Sequence, residues 1–356
     1  MSIVNLARPE IRALHPYEAA EQVDDTIRLN ANESPCSPDV GNFRRPLNRY
    51  PEVRPQMLRR SLAERFGCEA EQLLVTRGSS EAIDLIIRAF CAAGRDAVLV
   101  NSPSFSMYRH YAEVQGARLI EVPTLAERDF AIDIGDILDA CDDTTRLIFI
   151  CSPNNPTGTT LPREELEKLL HERGDRSAIV VDEAYVEFGD KPSATELLPR
   201  YSNVLVLRTL SKALGFAGAR CGAVAGPAEV IRMLSAIQAP YALATPVTEC
   251  VEDALQSAQL EAAQETIAEI VAERSRLAGA LSALPFISKV WPSDANFLLV
   301  RCEDARAVMG RCAENGVLLR HFGGPLEDCI RITVGSRKDN DTLLETLSRM
   351  GKDAND

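Results

Sequence analysis

Residues 204–220 read VLVLRTLSKALGFAGAR. The opening VLVL has no polar alternation, which marks a strand covered on both faces. Thr209, Leu210, Ser211 and Lys212 follow at its C-terminal end, and then a stretch of small and apolar residues with two glycines. Working outward, AIVVD (178–182), RLIFIC (146–151), DAVLVN (96–101), LLVT (73–76) and GAVAG (222–226) are runs of the same kind. Helical patterns lie between them. Buried strands alternating with helices predict an α/β layered fold around a mainly parallel sheet.

The helical expectations are specific. MLRRSLAERFG ends in a glycine stop at Gly67, and SSEAIDLIIRAFCAAG is read as a helix to Gly94 with Ser79 or Ser80 as its cap. Residues 228–238 and the long run 246–283 are read as helices. After Pro285 the pattern becomes α+β: NFLLVR, a helix over 304–314, VLLRH, CIRITVG and a final helix near 339–350. The spacing predicts a large domain over 38–270. A smaller α+β domain is expected from 1–37 together with 271–356.

Composition narrows the function. Fifty-two Asp and Glu against 39 Lys and Arg give a net charge of -13, the wrong balance for a nucleic-acid protein. MSIVNLARPEIR lacks the apolar core of a secretory signal, and no apolar run approaches the ~20 residues of a membrane span. Ten scattered cysteines form no CxxC pair, and four dispersed histidines form no HExxH pair. Reduced thiols, no metal and a cytoplasmic place are expected. Only six of the 39 basic residues are lysines. Lys168, Lys191, Lys289, Lys338 and Lys352 sit in charged, proline-flanked or terminal settings. Lys212 alone lies beyond a buried strand in an apolar, glycine-bearing segment.

Neither GxGxxG nor GxxxxGK[ST] occurs, so a dinucleotide loop and a P-loop are both missing. The polar residues of interest stand instead at the C-terminal ends of apolar strands, the edge where open α/β sheets bind ligands. Asp182 ends AIVVD, Asn155 lies in CSPNNPTG after RLIFIC, and Lys212 follows VLVLRT. TRGSSE (76–81) joins a strand to a helix whose N-terminus could hold a phosphate. A lysine for an aldehyde, a carboxylate for a pyridinium nitrogen and a helix N-terminus for a phosphate are what pyridoxal phosphate requires.

The chain also resembles the fold-type I pyridoxal phosphate aminotransferases, and among them the histidinol-phosphate aminotransferases. LNANESP, RYPE, RGSSEAIDLIIRAF, SPSFSMY, CSPNNPTG, VVDEAYVEF, RTLSKALGFAGARCG, APY, NFLLV and CIRITVG carry the resemblance, in family order over nearly the whole chain. It implies that Lys212 carries the cofactor and then shuttles a proton. Asp182 would keep the pyridine nitrogen protonated, and Tyr185 and Asn155 would bond the phenolic oxygen. Tyr108 would stack on the ring. Ser79, Ser80, Ser211 and Arg220 would hold the phosphate, joined by Tyr50 from a neighbouring subunit, which implies a homodimer. Arg331 would take the substrate anion, with Arg320, Tyr17, Asn30 and Tyr241 beside it.

The activity so implied is transamination between the small molecules L-histidinol phosphate and 2-oxoglutarate. Its products are imidazole acetol phosphate and L-glutamate, a step of histidine biosynthesis. An aromatic amino acid aminotransferase and a threonine-phosphate decarboxylase share the same sheet-edge residues. The family places an acidic side chain where this sequence has Ser80. The Pro-rich stretch 34–48 is also less regular than the family's.

Overall fold

A computed structural model of the chain describes residues 2–17, 22 and 27–353. Parts of the expected smaller domain (residues 1, 18–21, 23–26 and 354–356) lie outside the described residues. In chain order the first elements are α1 Pro9–Arg12, α2 Gln56–Phe66, β1 Leu73–Thr76, α3 Gly78–Phe90, β2 Ala97–Ser102, α4 Met107–Gln115, β3 Arg118–Pro123, α5 Ile134–Ala140, β4 Thr145–Cys151, α6 Arg163–Arg173, β5 Ala178–Asp182, β6 Val204–Thr209 and β7 Gly222–Ala225. Then follow α7 Ala228–Ile237, α8 Thr245–Ala254, α9 Ser257–Ser282, β8 Ile287–Val290, β9 Phe297–Cys302, α10 Ala305–Glu314, β10 Arg320–His321, β11 Cys329–Thr333 and α11 Arg337–Asp353.

A seven-stranded sheet has the order β1-β7-β6-β5-β4-β2-β3. Strands β3, β2, β4, β5 and β6 pair in parallel, while β7 runs antiparallel to β6 and to β1. Both faces are covered, as the continuous apolar runs require. Leu99, Ile148, Ile150, Ile179, Val181 and Val206 pack on one side with Leu58 and Leu62 of α2 and Leu169 of α6. Val98, Phe149, Val180 and Leu207 pack on the other with Ile83 and Ile86 of α3 and Val230 of α7. A second, antiparallel sheet has the order β10-β11-β9-β8 and its own core, with Leu277 and Leu281 of α9 and Leu343 and Leu347 of α11. Six of the ten thiols are buried, while Cys36 and Cys250 are exposed.

Several boundaries differ from the sequence expectation. α3 stops at Phe90, because Cys91 turns extended. Its N-terminus is not capped by Ser79 or Ser80, which lie inside its first turn; Arg77 holds the cap position without a side-chain cap. The run 246–283 is two helices, since Gln256 adopts an extended ψ of 150° between α8 and α9. VLLRH contributes only Arg320 and His321 to a strand. β3 and α4 were not anticipated. RLIEVP is the edge of the sheet, with most of its side chains partly open to solvent, so it lacks the fully apolar signature of its neighbours.

Candidate active site

The large sheet delivers its polar residues in register. Cys151 at the end of β4 pairs with Asp182 at the end of β5, and Thr209 at the end of β6 pairs with Gly222 of β7. Gly222 also pairs with Thr76 of β1. Beyond this edge lies a cavity of about 740 Å³. Its lining includes Ser79, Ser80, Tyr108, Asn155, Asp182, Tyr185, Ser211, Lys212 and Arg220 from the large sheet's side. Arg320 and Arg331 face them from the small sheet.

Asp182 is 2% exposed. Its Oδ2 accepts the Tyr108 hydroxyl at 2.8 Å and its Oδ1 accepts the Ala184 N–H at 3.1 Å. Burial pushes its pKa up to about 6; the hydrogen bonds from Tyr108 and Ala184 and the nearby Lys212 oppose the rise. A buried carboxylate poised in this way is suited to a cationic partner. Lys212 opens into the cavity with its Nζ 5.7 Å from the Tyr185 ring centre. Partial burial, then the Arg331 and Arg220 guanidiniums, lower its pKa, with Asp182 pulling the other way. A larger share of neutral amine is the result, the form needed to take a proton or attack a carbonyl.

Asn155 bridges the two sheets. Its Nδ2 donates to the Tyr185 hydroxyl at 3.3 Å, and its Oδ1 accepts from Arg331. The Tyr185 ring meets Phe297 edge-on at 5.1 Å, and burial pushes its phenol pKa up. Arg331 of β11 stands opposite Arg320 of β10 in the ladder. The Arg331 guanidinium lies 5.2 Å from the Phe297 ring and 5.8 Å from Phe322, and its buried Nε has no hydrogen-bond partner.

One corner of the cavity is built largely from backbone. α3 opens at Gly78, whose φ of +72° suits glycine, with no side-chain cap hydrogen bond at its N-terminus. Arg220, itself at φ +54°, donates to Ser211 Oγ at 3.5 Å and to the Ala217 carbonyl at 3.2 Å. A Cβ on Gly78 would sit 2.7 Å from the Arg220 guanidinium. A Cβ on Gly222 would sit 2.9 Å from the backbone of Gly78 and Ser79. Bare glycines therefore let a helix N-terminus and a guanidinium converge on one spot, where an anion is stabilised. With a lysine and a buried carboxylate in the same cavity, the residues present fit pyridoxal phosphate.

Tyr108, expected to stack on the ring, lines the cavity. It is 1% exposed, its ring is stacked at 4.8 Å on Phe149, and its hydroxyl is engaged by Asp182. Phe105, three residues earlier and edge-on to Tyr108 at 5.7 Å, lines the same cavity. Tyr17, Tyr50, Asn30 and Tyr241 do not line this cavity. Tyr50 stacks on Tyr241 at 4.6 Å, and Tyr17 meets Tyr241 edge-on at 6.1 Å.

A buried cluster behind the strand ends escaped the sequence reading. Arg208 on β6 pairs with Glu187 at 2.6 Å and Glu183 at 3.6 Å, and Glu183 accepts the Ala194 N–H at 2.6 Å. The signal was available: Glu183 directly follows Asp182, so the two side chains point to opposite faces. Among the described residues no group of three His, Cys, Asp or Glu side chains could hold a metal ion. No helix among them is long and apolar enough to cross a membrane.

The family model for aminotransferase class I and II matches residues 22–347. The histidinol-phosphate aminotransferase of Xanthomonas campestris pv. campestris is 43% identical over 358 residues, covering 98% of this chain and 98% of that protein. The histidinol-phosphate aminotransferase of Xylella fastidiosa is 42% identical, covering 97% of this chain and 96% of that one. The solved structure of the Sinorhizobium meliloti histidinol-phosphate aminotransferase with pyridoxal-5'-phosphate superposes with a TM-score of 0.79. It covers 86% of this chain and 84% of that one at 24% identity, a likeness of fold. The chain belongs to the class I and II aminotransferases and, within them, with the histidinol-phosphate aminotransferases.

Proposed function

We propose that the chain transfers an amino group between L-histidinol phosphate and 2-oxoglutarate with pyridoxal phosphate, as a step of histidine biosynthesis. The observation that carries this reading is the Arg320–Arg331 ladder pair facing Lys212 across the cavity. Two guanidiniums side by side accept a phosphate or a carboxylate, the two anions that the donor and the acceptor bring in turn.

Bound pyridoxal phosphate supplies an electrophilic carbon for the amine and a ring that accepts electrons from the substrate carbon. The chain's own residues do the rest. Ser79, Ser80, Ser211 and Arg220 hold the phosphate at the α3 N-terminus. Asp182, fixed by Tyr108 and Ala184, takes the ring nitrogen and holds its proton. Asn155 and Tyr185 donate to the ring oxygen, and Tyr108 would stack on the ring. Lys212 holds the cofactor and, once released, moves the α-proton, its lowered pKa keeping enough of it neutral. Arg331 and Arg320 orient the substrate's far anion.

In this reading the chain forms a cytoplasmic homodimer, with Tyr50 reaching the neighbouring cofactor's phosphate and Tyr17, Asn30 and Tyr241 close to that shared site. The large unit spans 38–270, and the smaller unit 1–37 plus 271–356. The boundary between them falls inside α9, one continuous helix.

Two measurements test the proposal. The purified protein should show a visible cofactor band that borohydride removes. Lys212→Ala should lack that band and lose about 10⁴-fold in kcat. Amino transfer to 2-oxoglutarate should be fastest from histidinol phosphate. A higher kcat/KM with phenylalanine, or carbon dioxide release from phosphothreonine, would defeat the substrate assignment.

A further inference from the structure

A buried carboxylate outside the cavity has no part in the chemistry above. Glu33 lies in ANESP, and its side chain is 2% exposed. Its Oε1 accepts the backbone N–H of Tyr50 at 2.8 Å and a guanidinium N–H of Arg28 at 2.7 Å. Its Oε2 accepts from Arg49 at 2.8 Å. Arg49 also donates to the Arg28 carbonyl at 3.4 Å, and Asn48 Nδ2 donates to the Ser34 carbonyl at 2.7 Å. One carboxylate thus ties residues 28–34 to residues 48–50 across a proline-rich stretch that forms neither helix nor strand. Burial opposes its ionisation. The Tyr50 N–H and the Arg49 and Arg28 guanidiniums outweigh that cost and hold its pKa below the ordinary value.

The side chain on the other end of this anchor points outward. Tyr50 is 50% exposed although it stacks on Tyr241, and it does not line the cavity of its own chain. An aromatic whose backbone is locked by a buried carboxylate, and whose ring is left half open, is prepared for a contact beyond its own chain. Nor does the cluster belong to a folding core. Residues 28–50 contribute nothing to the apolar clusters on either sheet.

We propose that Glu33 is a positioning residue for the neighbouring subunit's active site. By fixing the Tyr50 backbone it sets where the Tyr50 hydroxyl meets the phosphate of the cofactor bound there. This rests on the reading of Tyr50 as a cross-subunit phosphate ligand. Exchanging the carboxylate for an amide leaves one acceptor oxygen for three donors and strips two guanidiniums of their counter-charge, so the arm loosens while the sheets stay intact.

Hybrid dimers test this. Glu33→Gln homodimers should bind pyridoxal phosphate about tenfold more weakly by titration of the visible band, the loss of roughly one charged hydrogen bond. Their melting temperature should stay near wild type. Lys212→Ala homodimers should be inactive. In a hybrid of the two, one site combines Lys212 of the Glu33→Gln chain with Tyr50 of the Lys212→Ala chain. That site should recover wild-type cofactor affinity and one site's worth of activity.

Two outcomes overturn the proposal: wild-type affinity in the Glu33→Gln homodimer, or a hybrid that stays as weak as that homodimer. The same hybrid made with Tyr50→Phe separates the two layers of the argument. If it recovers and the Glu33→Gln hybrid does not, Glu33 fails and the reading of Tyr50 stands. If neither recovers, the cross-subunit role of Tyr50 fails first. Arg49→Met, read in the same hybrid, serves if Glu33→Gln does not accumulate.

Discussion

Asp182 is a carboxyl whose surroundings resist its ionisation until a cation arrives. In the folded, cofactor-free chain it titrates at about 6, against an ordinary 3.8. Between those values the folded state holds a proton that the unfolded state has lost. The stabilisation is therefore full below pH ~4 and is lost as pH rises through about 6, by about 3 kcal/mol. Asp182→Asn should flatten this part of the profile. Urea unfolding of the cofactor-free wild type and variant between pH 4 and 7 reads the difference directly. Equal slopes would mean that Asp182 ionises freely in the folded chain. Asp182, Asn155 and Lys212 were legible in the sequence because each ends an apolar run or lies in the loop after one. The bond from the Tyr108 hydroxyl to Asp182 was not legible there. Tyr108 sits in SPSFSMY, and only the start of α4 brings its hydroxyl across to the end of β5.

At the scale of elements, the site depends on how closely β7 approaches the start of α3. Gly222 is the point of contact, and the atoms a methyl group would meet there are backbone: the Arg208 carbonyl at 2.8 Å, with Gly78 C and Ser79 N at 2.9 Å. Backbone cannot rotate away as a side chain does. Gly222→Ala should cost about 1–3 kcal/mol of stability and push the α3 N-terminus off its seat. Cofactor affinity should fall more than melting temperature suggests, which titration of the visible band against thermal unfolding would show. The strands on both sides of this contact were evident from their apolar runs. Their adjacency was not, because β1 and β7 lie about 150 residues apart in sequence and pair through a crossover.

For the whole molecule, the two sheets must share one cavity, and a short seam joins them. The Asp294 N–H donates to the Gly158 carbonyl at 2.9 Å, and its carboxylate accepts from Thr160 at 2.7 Å. A Cβ on Gly158 would strike Ser293, so loop and seam touch directly. The same loop carries Asn155, which Arg331 grips from the small sheet. Asp294→Ala removes about 1 kcal/mol of this registration and should raise KM for histidinol phosphate roughly fivefold with little change in kcat. An equal fall in kcat would instead place the defect in the reacting centre. No sequence pattern announced the seam, because Ser293 and Asp294 belong to no apolar run or motif.

The arrangement of the thiols bears on how the molecule ages. Cys151 lies on the cavity floor beside Asp182, and burial pushes its pKa up to about 12. It stays protonated, and a protonated thiol is a poor target for peroxide or disulfide exchange. Cys221, next to the Gly222 contact, is protected in the same way. Oxidative wear on a stored preparation therefore begins at Cys36 and Cys250, the two exposed thiols, neither of which lines the cavity.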